Sequence, residues 1–306
     1  MIKMTYLNSW RATNNMSLIS ERKKVFACVD QSTFAGAVSE AAGWVAERIE
    51  RPVQLLHIID KHPERAQKND DHSGALGIDA QEHLLADLTV ADEEKSKQAR
   101  ERGRLFLANL QETLLQSVNV PVDIKQRFGE VEHSLSEQQD IAELFVIGRR
   151  GRSAEITQRD LGRNLERLVR ALNRPVLVVP EAFSPPTRAL FAFDGSTIAK
   201  RGVRILASSK LLKNTPIDLI HAGSPTRSAQ EQLDWAQTKL KKRGFEVRAD
   251  IVTGDPETVI AKEMDTRSAN FLIMGAYSHS PLRSLLFGSK TSGLLRASRV
   301  STLLIR

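Results

Sequence analysis

The stretch 189-ALFAFDGS-196 reads as a buried strand that stops at an acidic turn, and 25-VFACVDQS-32 repeats it. Both are apolar runs ending in Asp-x-Ser, with the two aspartates 164 positions apart. The next apolar run is duplicated as well: Val53-Gln54-Leu55-Leu56-His57-Ile58 matches Ile217-Asp218-Leu219-Ile220-His221-Ala222, again at 164. Further on the offset falls. Arg127-Phe128-Gly129-Glu130 pairs with Val252-Thr253-Gly254-Asp255 at 125, and Leu144–Gly148 pairs with Phe271–Gly275 at 127. Val176–Val179 then matches Thr302–Ile305. Self-similarity of this kind means one module written twice. The drop in offset places an insertion of about forty residues within 61–100 of the first copy.

Each copy alternates short, nearly continuous Val/Ile/Leu runs with longer stretches of helical period. Strands buried on both faces by helices read this way. Helices are predicted over Ala35–Arg48 and about 91–117 in the first copy, and over Lys200–Leu212 and Ser228–Arg243 in the second. The implied order β-α-β-α-β-α-β-α-β gives a Rossmann-like, doubly wound α/β module with a five-stranded parallel sheet and helices on both faces, twice in tandem. The first module is expected over 23–181, the second over 187–306. Glu181-Ala-Phe-Ser-Pro-Pro-Thr187 is the expected link, because its Pro-Pro pair disfavours helix.

The 306 residues suit two such domains. No apolar run approaches the ~20 residues of a membrane span. Residues 1–22 are polar, lack the apolar centre of a secretory signal and are read as a loose arm, with Met16 an alternative start. Cys28 is the single cysteine, so no internal disulfide or cysteine-rich metal site is expected, and a reducing cytoplasm fits. The net charge of +7 permits a polyanion partner but selects none. Only Arg149-Arg150-Gly151-Arg152 is clustered, and aromatics at 5% are too sparse for a single-strand binder. Nucleic acid and membrane are therefore not the expected partners.

In open α/β sheets ligands bind beyond the carboxyl ends of the strands, where strand order reverses. That rule selects the ends of strands one and two and the turn after strand four. Strand one ends at Asp30 and at Asp194. The turns after strand four are Gly148-Arg-Arg-Gly151 and 275-GAYSHSPLRSLLFGSKTSG-293. In the latter, Gly288 permits close backbone approach, and Ser289-Lys290-Thr291 opens a predicted helix whose unpaired N–H groups favour an anion. An Asp at a neighbouring strand end suits ribose hydroxyls or an adenine amino group. Spacing alone leaves a plain turn with a Ser289 N-cap equally open. A Walker A loop is absent.

These features together resemble the universal stress protein family in its tandem form, over nearly all of 23–306 apart from the insertion. The family's nucleotide-binding members carry Gly-x2-Gly-x9-Gly-Ser/Thr after strand four and an Asp ending strand one. Gly275, Ser278, Gly288 and Ser289 fall on that spacing, with Ser278 in place of the second glycine and Thr291 close by. Asp194 falls at the strand-one position, and Ala222 where strand two presents backbone to adenine. The resemblance implies a bound ATP or related adenine nucleotide, with Mg2+, and a role in stress adaptation through protein partners. In the first copy Asp30, Gly148 and Gly151 fit, but ten residues precede Gly162 and Arg163-Asn164 replaces the hydroxyl. A degenerate first site is expected there, with Arg163 either filling the phosphate pocket or contacting a phosphate. The family also pairs last strands, so Arg174–Val179 and Val300–Ile305 are expected to form an internal pseudo-dimer, with higher oligomers open.

His62, His72, His83, His133 and His279 are scattered, and no ligand spacing supports a metal. His57 and His221 are most simply core or strand-end residues, though their repetition leaves a pocket role open. Cys28 reads as inert packing. Without a Gly-x-Ser-x-Gly elbow, a His-Glu-x-x-His motif or paired carboxylates, ATP turnover is expected to be slow or absent. The rival readings are a ligand-free adaptor, a slow ATPase and a polyanion binder. The favoured one is a nucleotide-biased switch.

Overall fold

The computed structural model describes residues 23–59, 78–149, 163–276 and 300–306, with backbone alone for 78–93, 95 and 163–166. The first half runs β1 (Lys24–Val29), α1 (Ala35–Ile49), β2 (Val53–Ile59), α2 (Ile78–Ser117), β3 (Val122–Phe128), α3 (Val131–Ser136), β4 (Ala142–Gly148), α4 (Arg163–Ala171) and β5 (Val176–Val179). The second runs β6 (Ala189–Ala192), α5 (Thr197–Ser208), β7 (Ile217–Ala222), α6 (Arg227–Lys241), β8 (Val247–Val252), α7 (Pro256–Thr266), β9 (Phe271–Gly275) and β10 (Ser301–Ile305).

The strands form one ten-stranded sheet in the order β3-β2-β1-β4-β5-β10-β9-β6-β7-β8. Every neighbouring pair is parallel except β5 and β10, which meet antiparallel through Val178–Thr302, Leu177–Leu303 and Val176–Leu304. The last strands of the two halves thus pair within one chain, as expected. The layers follow from alternation along the strands. Val25, Ala27 and Leu55 share a core with Val38 and Ala42 of α1 and Leu107 and Leu114 of α2; the same core continues into Val203 of α5 and Leu233 of α6. On the other face Phe26, Leu56 and Phe145 pack with Leu135 of α3 and Leu168 of α4, and Leu272 with Ile260 of α7. Both faces are covered, which is why the strands read as unbroken apolar runs.

Two features depart from the sequence reading. α2 is one helix of 40 residues, where the sequence predicted a helix over about 91–117. At 1.5 Å per residue it is about 60 Å long, well over twice the ~23 Å of a seven-residue strand such as β3. Arg100 of α2 already lies over the ring of Phe128, the last residue of β3, so the helix amino-terminal to it extends beyond the strand ends. The second feature is polar. Gln54 and Asp218, equivalent positions on the second strand of each half, are buried. Lys24 bridges Gln54 and Asp123, and at the duplicate site Arg188 and Arg267 both pair with the Asp218 carboxylate, at 3.0 and 3.1 Å. Arg267 also holds Asp250 and Glu263; burial works to lower its pKa, but the hydrogen bonds to Glu263, Asp250 and Asp218 and the Asp218 charge together raise it. A buried carboxylate is stable there because two guanidinium groups replace its water.

The seam between halves is fastened beyond its ladder. Arg306 donates to the carbonyls of Val169 and Leu172, completing the carboxyl end of α4 as a cation does well. Trp44 of α1 meets Phe183 of the link, and Arg48 donates to the Lys213 carbonyl.

Candidate functional site

The order β8-β7-β6-β9-β10 reverses direction at β6, whose onward connection leads to β7 on one side while β9 lies on the other. Ala192 sits level with Ile220 of β7 and Met274 of β9. Continuing that register past the ladder by one and two residues would set Phe193 beside Gly275 and Asp194 beside Ala222. Asp194, Ala222 and Gly275, three of the residues expected from sequence, thus stand at the carboxyl ends of three neighbouring strands, at the switch point. Ser278, Gly288, Ser289 and Thr291 lie outside the described residues.

The tip of β6 has a defined local geometry. Asp194 is exposed, and its Oδ1 accepts from the Ser196 amide at 3.0 Å, a turn closed by the side chain. Between them Gly195 adopts φ +71°, a left-handed conformation, and the Gln232 side chain occupies the space that a Cβ would need. The chain is thereby turned so that Ser196 caps α5, its hydroxyl accepting from the Ala199 amide at 3.1 Å. Gly275 then packs on the first turn of α5. A Cβ there would lie 3.1 Å from Ile198 Cγ2 and 3.9 Å from the Ala199 nitrogen. Strand β9 thus ends against a helix amino terminus, with an exposed carboxylate alongside. An exposed carboxylate beside the amino-terminal turn of a helix is the kind of place where a ligand bearing hydroxyls and negative charge can be held.

The first half builds the same tip differently. Asp30 accepts from the Ser32 amide at 3.3 Å, and Gly148 ends β4 level with Val179. Gln31 stands where Gly195 does and is not left-handed. α1 begins at Ala35, two positions later than α5 in the duplicate frame, with Phe34 at its N-cap and no side-chain cap. The Ser32 hydroxyl is buried without a hydrogen-bond partner. The two tips are therefore not equivalent, and the second is the more completely formed. Gly151 and Gly162 lie outside the described residues. Sequence reading missed Gly195 and Gln232, although the contrast of Asp-Gly-Ser with Asp-Gln-Ser was visible.

In both halves an imidazole also bears on the tip: His57 Nδ1 lies 2.9 Å from the Val29 carbonyl and His221 Nδ1 3.1 Å from that of Phe193. Cys28, near the end of β1, has its thiol pKa pushed well above the usual range by burial, as inert packing requires. Among the described residues no group of three or more His, Cys, Asp or Glu is placed to hold a metal, and no helix is long and apolar enough to cross a membrane. A cleft of about 840 Å³ lies between the halves, lined by Pro52, Pro121, Leu144, Pro175 and Lys210. It opens at the amino-terminal ends of β2–β5, opposite the aspartate tips, and its Glu50, Arg51, Glu143 and Lys210 mix signs without selecting a ligand class.

The model of the universal stress protein family matches residues 21–180 and again 186–306. The chain belongs to the universal stress protein family. It is 30% identical over 286 residues to universal stress protein Slr1230 of Synechocystis sp., covering 93% of this chain and 100% of that one. Among solved structures it resembles a universal stress protein from Archaeoglobus fulgidus, with TM-score 0.60 and 17% identity over 92% of this chain and 95% of that one. A putative universal stress protein from Pseudomonas aeruginosa gives TM-score 0.54 and 17% identity over 94% of each chain. At that identity the structures establish the shared fold of a tandem universal stress protein.

Proposed function

We propose that this universal stress protein binds ATP or another adenine nucleotide in its second module, over 187–306, and acts as a nucleotide-biased switch read by protein partners during stress adaptation. The reading rests on one observation: an exposed Asp194 at the switch point, beside a glycine-ended strand packed on the amino-terminal turn of α5. Asp194 would accept from ribose hydroxyls or the adenine amino group, and the backbone at Ala222 would face the base. Ser278, Gly288, Ser289 and Thr291 are proposed for the phosphates, where Mg2+ would offset their charge. The first module, over 23–181, is proposed to be a degenerate copy, in keeping with its uncapped helix and orphaned Ser32 hydroxyl. The nucleotide is proposed as a ligand, with turnover slow or absent.

Titration calorimetry with ATP tests the assignment. A hydrogen bond to a charged group contributes about 1.5–3 kcal/mol, so Asp194→Ala should weaken binding by roughly 10- to 150-fold. Asp194→Asn, which keeps an acceptor for the Ser196 amide, should lose binding too, separating the ligand contact from the turn. Asp30→Ala should leave affinity unchanged. The reverse pattern would move the site to the first module.

A further inference from the structure

We infer that His57 and His221 are positioning residues: each donates from Nδ1 to the carbonyl that immediately precedes the strand-tip aspartate and so fixes how that aspartate is presented. The inference extends the proposed site by naming what holds it. Three observations carry it. The bond occurs twice, between residues 28 apart in each half, at 2.9 Å to Val29 and 3.1 Å to Phe193. Its acceptor is the residue before Asp30 in one half and before Asp194 in the other. And the histidines are otherwise in different settings. His57 is buried, with its ring 5.4 Å from that of Phe106 on α2, whereas His221 is only half-buried, at the rim beside Gly223. Packing differs while the hydrogen bond is kept, so packing is not what the two sites share.

The chemistry fixes the proton. A backbone carbonyl can only accept, so Nδ1 must carry hydrogen; in a neutral ring that is the less common tautomer, with Nε2 as acceptor. In the second half the bond falls where the ladder gives out. Pairing of β6 with β7 ends at Ala192 and Ile220, and Phe193 adds one bond from its amide to the Ile220 carbonyl. The His221 ring then ties the Phe193 carbonyl back to β7. The next residue is Asp194, followed by the left-handed Gly195, so this tie from β7 acts immediately before the turn. An acceptor meant to meet a ligand with little reorganisation benefits from such a backing bond.

The test uses the whole chain and two variants. In Asn the side-chain nitrogen is as many bonds from Cα as Nδ1 is in His, so His221→Asn keeps the donor, while His221→Phe keeps a ring and removes it. Amide exchange at Gly195 and Ser196 should speed at least tenfold in His221→Phe and stay within about twofold of wild type in His221→Asn, with Leu219 unchanged in both. ATP affinity, measured in parallel, should follow the same order. Equal exchange in wild type and His221→Phe overturns the inference. Should His221→Phe not fold, ring nitrogen shifts of the wild-type protein decide: the Nδ1–H tautomer at both His57 and His221 supports it, and Nε2–H overturns it. Absence of ATP binding by the wild type would refute the nucleotide reading alone, because exchange and tautomer are read without ligand.

Discussion

Gly195→Ala, compared with Gln31→Ala at the same place in the first half, asks whether the two strand tips really differ. At Gly195 the backbone sits at φ +71°. An L-residue there costs about 1–2 kcal/mol, from the Cβ meeting its own carbonyl. The added methyl also meets Gln232, whose amide is held 3.0 Å from the Ser228 hydroxyl. That side chain can swing away, at a cost of about 1 kcal/mol for the bond it leaves. The sum is a destabilisation of about 2–3 kcal/mol. Gln31 is exposed and not left-handed, so Gln31→Ala should stay within about 0.5 kcal/mol. Urea unfolding followed by circular dichroism measures both, with the midpoint moving and the slope unchanged. Adding Gln232→Ala to Gly195→Ala should recover only the collision and leave the backbone strain. Equal effects of Gly195→Ala and Gln31→Ala would refute the claim that the tips are built differently.

Asp218→Ala removes a buried carboxylate that serves two arginines. Breaking such a pair costs about 3–5 kcal/mol, and the low end is expected because Arg188 and Arg267 keep 27% and 20% of their side-chain exposure and Arg267 retains two other acids; thermal unfolding checks it, and a shift below 1 °C would contradict it. Cys28, its thiol pKa raised by burial, should react with an aromatic disulfide reagent at pH 8 far more slowly than free cysteine and at that rate only in denaturant; prompt labelling of the native protein would place the sulfur at the surface. Residues 187–306 expressed alone would expose the edge of β10, whose five residues are all buried in the whole chain, so light scattering should find dimers or larger species where the full chain supplies β5.

Much of this architecture was legible because duplication is read without knowing any contact. The offset of 164 between Asp30 and Asp194 and between His57 and His221 announced two modules, and unbroken apolar runs announced parallel strands. The seam was legible only through resemblance, since nothing in Val176–Val179 or Ser301–Ile305 says that they pair antiparallel with each other. The partners of polar residues inside strands were not legible. Gln54 and Asp218 stand within apolar runs, and only the fold reveals Lys24, Arg188 and Arg267 converging on them from distant segments. The single helix Ile78–Ser117 also escaped, because its apolar spacing weakens between Leu88 and Leu105 while the backbone continues. At the proposed site, Asp194 and Gly275 come from strand-end logic and Ala222 from the family resemblance. Gly195 was passed over because a glycine in Asp-Gly-Ser is read as a generic turn until its φ and the Gln232 side chain are seen.

The most direct measurement is to denature freshly purified full-length protein, identify any small molecule released, and titrate the emptied, refolded protein with ATP. The account predicts an adenine nucleotide in the supernatant or measurable heat on titration, with one site per chain. No nucleotide released and no heat would contradict it, and two equal sites would contradict the asymmetry between Asp30 and Asp194.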